Sequence, residues 1–125
     1  MTSQPCVFIV EDDDALRDSL GMVIEMTGIA HRAFDSIDHF LENYDAIIPG
    51  CLILDLNLPK RNVTELLDEF SSRKILLPVI LLIAYGDMLE NIRVSHINVV
   101  AVLTKPVEVE RLIDKILTLL NRQPK

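Results

Sequence analysis

A doubly wound α/β sandwich, one five-stranded parallel sheet between two layers of helices, is the fold class this 125-residue chain predicts. Three observations carry that expectation. Short aliphatic or β-branched runs alternate five times with segments of helical spacing. Three of those runs, Val7–Val10, Leu52–Leu54 and Val79–Ile83, are nearly continuous in apolar residues, as strands covered on both faces are. The length suits one domain that buries roughly two-thirds of its unfolded surface and needs no disulfide or structural metal to fold.

The first strand is read at Val7–Val10, and the helix after it places Leu16, Leu20, Val23 and Ile24 on one face. The second strand is expected over Ile29 to Phe34, followed by Ser36 as the cap of a helix beginning at Ile37. The third strand, Cys51 to Asp55, leads to a helix whose inner face is Val63, Leu66, Leu67 and Phe70. The fourth, Val79 to Ile83, precedes a helix announced by the capping pair Asp87 and Glu90. The fifth, Val99 to Leu103, precedes a helix with Val109, Leu112, Ile113, Ile116, Leu117 and Leu120 at steps of three and four. Five such units make a flavodoxin-like (βα)5 sandwich with strand order 2-1-3-4-5. A single domain over 1–125, with its core at about 6–120, is expected.

Composition narrows the function classes. Half of the residues are apolar, with only four glycines and six prolines, which excludes a low-complexity or disordered chain. Twelve basic residues against 19 acidic ones give a net charge of −7, which argues against a surface for nucleic acid or anionic membranes. The longest apolar stretch, Ile75–Ala84, is about half of the ~20 residues a membrane-spanning helix needs, and Pro78 interrupts it. The N-terminal residues have neither a basic nor a long apolar region, so no signal peptide is expected and the location is read as cytoplasmic. Cys6 and Cys51 are read as small buried residues in a reducing compartment, with a redox pair as the alternative. His31, His39 and His96 have no metal-ligand spacing.

Ligands of such sheets sit beyond the carboxyl ends of the strands, where strand order reverses. Those ends carry Glu11, Asp12, Asp13 and Asp14 after the first strand, Asp55 at the end of the third, and Lys105-Pro106 after the fifth. If the first and third strands are neighbours, up to three carboxylates converge, and a hard divalent cation such as Mg²⁺ would relieve their repulsion. Lys105 facing the same place would neutralise a phosphoryl oxygen as a point charge. Asp13 and Asp14 are better read as caps and first-turn charges of the first helix. Asp55 has no helix immediately after it to cap.

These residues resemble a response-regulator receiver domain. The resemblance rests on Glu11-Asp12, on the segment Leu52 to Pro59 around Asp55, and on Lys105-Pro106. Phe34 to Ser36, Phe40-Leu41, Pro49 to Leu52, Pro78 to Ile80 and Gly86-Asp87 are similar to the FixJ-like branch. It runs from about Val7 to Leu120. The resemblance implies that Asp55 takes a phosphoryl group from the phosphohistidine of a sensor histidine kinase. It implies Mg²⁺ held by Asp12, Asp55 and the backbone carbonyl of Asn57, with Glu11 acting largely through water and Lys105 pairing with the phosphoryl oxygens. A cis Lys105-Pro106 bond is implied as well, and Ala84 and Pro106 are expected to line the same pocket.

The chain departs from the family at three positions. Ile83 stands where Thr or Ser usually donates a hydroxyl to the phosphoryl group, Val102 where Phe or Tyr is usual, and Val63 where glycine is usual. A lost hydrogen bond to a charged group forfeits roughly 1.5–3 kcal/mol of active-state stabilisation. Ile83 is larger and Val102 smaller than the usual residues, so the two are expected to fill the space beneath the fourth helix together.

Three functions follow. The leading one is a phosphoacceptor signalling domain with weakened or non-standard switching, not itself an enzyme. The second is a phosphorylation-independent interaction module. The third, a phosphohydrolase of the haloacid-dehalogenase type, is disfavoured because Asn57 cannot serve as its general acid. An output domain or downstream protein, or a second copy in a homodimer, is expected on the face formed by the fourth helix, the fifth strand and the last helix. A stand-alone receiver and one followed by a helix-turn-helix output domain both remain open. The domain itself has no basic recognition helix, so direct nucleic-acid contact is not expected of it.

Overall fold

The computed structural model describes residues 4–44, 48–55, 63–84 and 99–122. Within them the chain order is β1 (Cys6–Val10), α1 (Asp14–Met26), β2 (Ala30–Phe34), α2 (Ile37–Asn43), β3 (Gly50–Asp55), α3 (Val63–Ser72), β4 (Val79–Ile83), β5 (Val99–Thr104) and α4 (Val109–Arg122). All strand pairs are parallel, and the sheet order is β2-β1-β3-β4-β5. The expected fold class and strand order are therefore observed. The helix expected from Asp87 lies outside the described residues, as does His96, so α4 is the C-terminal helix.

Position in the sheet explains the composition of each strand. β1, β3 and β4 are interior, and every residue in them is buried. β2 and β5 are the edges: in β2 only Phe34 is buried, and in β5 only Leu103 is. Fully burying one aliphatic side chain contributes roughly 1.5–3 kcal/mol, so the three interior strands dominate the stability of the sheet. Alternation of the pleat splits the core into two layers. One gathers Phe8, Phe34, Phe40, Leu52, Leu54, Leu66, Phe70 and Leu81. Phe40 is its hub, with ring centroids of Phe34, Phe8, Tyr44 and Phe70 at 5.6, 5.7, 5.2 and 6.1 Å. The other layer holds Val7, Ile9, Ile53, Ile80 and Leu82 against Leu20 and Ile24 of α1 and Leu112 and Ile116 of α4.

The helix termini follow local chemistry. Asp13 caps α1, its carboxylate accepting the Leu16 N–H at 3.0 Å, and Ser36 caps α2 by accepting the His39 N–H at 3.1 Å. On α4 the apolar stripe is wider than the strip the sheet covers: Leu112 and Ile116 are buried, but Val109 and Leu117 are exposed. Gly50 opens β3 so close to β1 that a Cβ there would lie 1.7 Å from the Cys6 carbonyl oxygen.

Two pairings have consequences. Val7 lies opposite Cys51, one step from Cys6, so the pleat sends the two thiols to opposite layers. Both are free and buried, and it is their placement on opposite faces of the sheet that speaks against the redox-pair alternative. Between β4 and β5, Val79 pairs with Val99 but Ile80 pairs with Ala101, so Val100 is an extra residue that bulges the edge strand. No helix among the described residues is long and apolar enough to cross a membrane.

Candidate functional site

Register assembles the site at the carboxyl rim. Val10 pairs with Leu54, so the next residues, Glu11 and Asp55, stand side by side. Ile83 pairs with Thr104, and the Lys105 N–H just beyond donates to the Ile83 carbonyl at 2.7 Å. From there the Lys105 side chain crosses the end of β4, and its Nζ donates to Asp55 Oδ2 at 2.8 Å. The same Nζ is 3.7 Å from Glu11 Oε1. The Lys105-Pro106 bond is cis.

Glu11 and Asp55 are 1% and 2% exposed, the only acidic residues buried to this degree among those described. Asp12, beside them, is exposed. One carboxylate oxygen from each of Glu11, Asp12 and Asp55 can be chosen so that all three lie within 4.8 Å of one another. Glu11 Oε2 accepts the Asp13 N–H at 3.2 Å, whereas Glu11 Oε1 is buried with no hydrogen-bond partner. Leaving such an atom unsatisfied is costly. Clustered oxygens and an orphaned carboxylate oxygen are what a hard divalent cation would complete, and these three residues fit one.

The electrostatics reflect the crowding. Burial, reinforced by the hydrogen bond and charge of Asp55, raises Glu11 from 4.5 to about 8, against the opposing Asp13 amide and Lys105. At neutral pH and without a cation, a proton therefore stays on the Glu11–Asp55 pair. Burial alone lowers Lys105, but its hydrogen bond to Asp55 and the charges of Asp55 and Glu11 outweigh it, and the net shift is upward. Lys105 is held as a cation.

The structure thus brings Glu11, Asp12, Asp55 and Lys105 together. Asn57 lies outside the described residues. Ala84 is half-buried and Pro106 is exposed at the rim. Asp13 and Asp14 serve α1: Asp13 is its cap and Asp14 forms an ion pair with Arg17. Ile83 is 5% exposed and Val102 is 37% exposed. The space beneath the fourth helix, which these two were expected to fill together, lies outside the described residues. Thr104, not Val102, is the register partner of Ile83, and Val102 sits beside Leu81 on the edge strand, where it stays open to solvent. Val63 begins α3, and its side chain lies outside the described residues.

Sequence reasoning missed Arg17. Its Nη1 donates to the backbone carbonyl of Glu11 at 2.9 Å. The available signal was its place three residues after Asp14 at the start of a helix, a spacing that allows an ion pair.

The chain as a whole is similar to known proteins. The response regulator receiver domain family matches residues 7–117. The transcriptional regulatory protein FixJ of Bradyrhizobium diazoefficiens is 28% identical over 112 residues, covering 90% of this chain and 55% of that protein. The structure of response regulator StyR is similar at a TM-score of 0.87 and 29% identity, over 95% of this chain and 60% of that one. FixJ-N is similar at 0.82 and 27%, over 99% of both chains. The chain spans about half the length of the curated relatives it matches.

Proposed function

The chain belongs to the response regulator receiver domain family, and from that premise we propose that Asp55 is its phosphoacceptor, taking the phosphoryl group of a sensor histidine kinase. Receiver domains of this family are signalling domains that accept a phosphoryl group in two-component systems. The observation that carries the assignment is Lys105 Nζ at 2.8 Å from Asp55 Oδ2, with oxygens of Glu11 and Asp12 clustered beside it.

In the proposed reaction a carboxylate oxygen of Asp55 attacks phosphorus, the P–N bond to the donor histidine breaks, and a P–O bond to Asp55 forms. A carboxylate is a weak nucleophile, so transfer depends on positioning and on charge neutralisation. Burial between β1 and β4 fixes Asp55, and Lys105 exchanges its ion pair with Asp55 for one with the phosphoryl oxygens. Glu11, Asp12 and Asp55 would hold Mg²⁺, which when bound supplies charge to draw the donor's phosphoryl oxygens into line. The backbone carbonyl of Asn57 remains our proposed fourth ligand. An apolar groove of about 390 Å³ between α1 and α4, lined by Leu16, Leu20, Val23, Val107 and Leu112, opens beside Lys105 and Pro106. It offers the donor an apolar seat next to the acceptor.

We further propose that switching is weak. Ile83 has no hydroxyl to follow the phosphoryl group, and a ligand shifts a population only by its differential contacts with the two states. Residues 6–120 form the signalling unit in this reading. It works in the cytoplasm, in keeping with the free Cys6 and Cys51. It passes its signal to an output domain, a downstream protein or a second copy over the β5 and α4 face.

Intact-mass spectrometry after incubation with a small phosphodonor and Mg²⁺ tests the acceptor. Addition of one phosphoryl group, absent in Asp55→Asn and absent with a chelator, is expected. An unmodified, folded wild-type chain would favour the phosphorylation-independent interaction module instead.

A further inference from the structure

Arg17 takes no part in the chemistry above, yet its guanidinium reaches back from the first turn of α1 to the loop that carries two of the acids. Nη1 donates to the Glu11 carbonyl at 2.9 Å, and Nη2 pairs with Asp14. The Arg17 side chain is 18% exposed, whereas that of Asp14 is 84% exposed. The Arg17 N–H, in turn, donates to the Asp13 carbonyl at 2.9 Å.

The Glu11 carbonyl lies between β1 and α1. It belongs to the peptide plane that leads into Asp12, so the direction of that carbonyl sets where the Asp12 carboxylate emerges. The Glu11 N–H is already tied to the Phe34 carbonyl at 3.1 Å. With Arg17 on the carbonyl side, the backbone of Glu11 is held at both ends.

We propose that Arg17 is a positioning residue: it locks the Glu11–Asp12 peptide so that the carboxylates of Glu11, Asp12 and Asp55 converge on one cation. The inference rests on the cation-binding reading of that cluster. Charge and positioning make opposite demands here. A guanidinium near the acids repels a dication, so on charge alone its removal tightens Mg²⁺ binding. If positioning governs, its removal weakens binding. Lysine keeps the charge but loses the planar fork that bonds the carbonyl and Asp14 together.

The test uses the full chain with wild-type Arg17, Arg17→Ala and Arg17→Lys, titrated with Mg²⁺ and followed by backbone amide spectra. A loss of affinity of roughly tenfold is expected for Arg17→Ala, the scale seen when groups that orient metal ligands are removed. Arg17→Lys is expected to fall between it and wild type. Unchanged or tighter binding in Arg17→Ala, or wild-type affinity in Arg17→Lys, overturns the proposal. A second arm needs no metal. The Asp13 amide, bonded to Glu11 Oε2, should exchange its hydrogen faster in both variants while amides of β3 keep their wild-type rates. Unaltered exchange at Asp13 overturns the proposal, as does acceleration spread equally over β3, which marks a purely structural role. A wild-type chain with no saturable Mg²⁺ response defeats the cation reading instead, and the exchange arm still judges Arg17.

Discussion

The carboxyl rim of the sheet has two sides that differ in kind. On the β1–β3 side, Glu11 and Asp55 are buried acids tied to one lysine. On the β4–β5 side the corresponding positions are Ile83, buried and apolar, and Val102, open to solvent. Buried carboxylates crowded this closely oppose folding unless something neutralises them. They make sense where a cation and a phosphoryl group are handled. On the other side, the Ile83 side chain itself has no donor that could sense that charge. On the proposed reading, capture and transmission are separate endowments of different strands, and a chain can hold one without the usual form of the other.

The strongest way to break this contrast is at Lys105, which bridges the two sides. Lys105→Ala should lower the rate of Asp55 phosphorylation by roughly 10²–10³, the usual scale for removing a charge-stabilising donor. Rates from a mass-spectrometric time course check this, and a near-normal rate would place the neutralising charge elsewhere.

Ile83→Thr should sharpen the contrast by giving the second side the missing donor. One hydrogen bond to a charged group is worth roughly 1.5–3 kcal/mol, a factor of about ten to a hundred in a two-state equilibrium. With a phosphoryl mimic and Mg²⁺, amide shifts in the wild type should stay close to β1, β3 and the Lys105 loop. In Ile83→Thr they should spread into β5. Wide spreading already in the wild type would show that the apolar side transmits without a hydroxyl.

The acidic side has its own pH signature. In the folded state Glu11 binds its proton up to about 8, whereas the unfolded value is 4.5, so the folded chain holds more protons across that window. Without metal, the stability this proton confers is complete below about 4.5, declines as pH rises, and is lost above about 8. Urea midpoints measured across the range should therefore fall with pH, and Glu11→Gln should flatten the fall. The smallest effect is a control on a remote element. Ser36→Ala should cost about 1 kcal/mol through loss of the α2 cap and leave phosphorylation unchanged.

Much of this was legible in the sequence because burial and spacing write themselves into composition. The interior strands announced themselves as unbroken apolar runs, and Ser36 before Ile37 announced a helix start. Glu11, Asp12, Asp55 and Lys105 were findable because each ends a run. Edges were less legible: β2 buries only Phe34, so its start at Ala30, not Ile29, leaves little trace. Register was invisible altogether. It decides that Cys6 and Cys51 face opposite layers and that Thr104, not Val102, lies beside Ile83. Arg17 escaped because its partner is a backbone carbonyl, which every residue has. Lys74, with φ at 60° at the end of α3, escaped because nothing in a lysine marks a left-handed turn.

The bulge at Val100 bears on how these molecules behave in a crowd. β5 is an outer strand with Val100 and Val102 exposed, the kind of edge onto which another chain can add a strand. An extra residue interrupts the even spacing of backbone donors and acceptors and adds local twist, so an incoming straight strand finds no continuous ladder. Irregularities of this kind are one of the devices by which edge strands resist stacking, and here the valine side chains stay exposed beside it. Deleting Val100 would remove the extra residue, and its signature would be precipitation at concentrations where the parent chain stays clear.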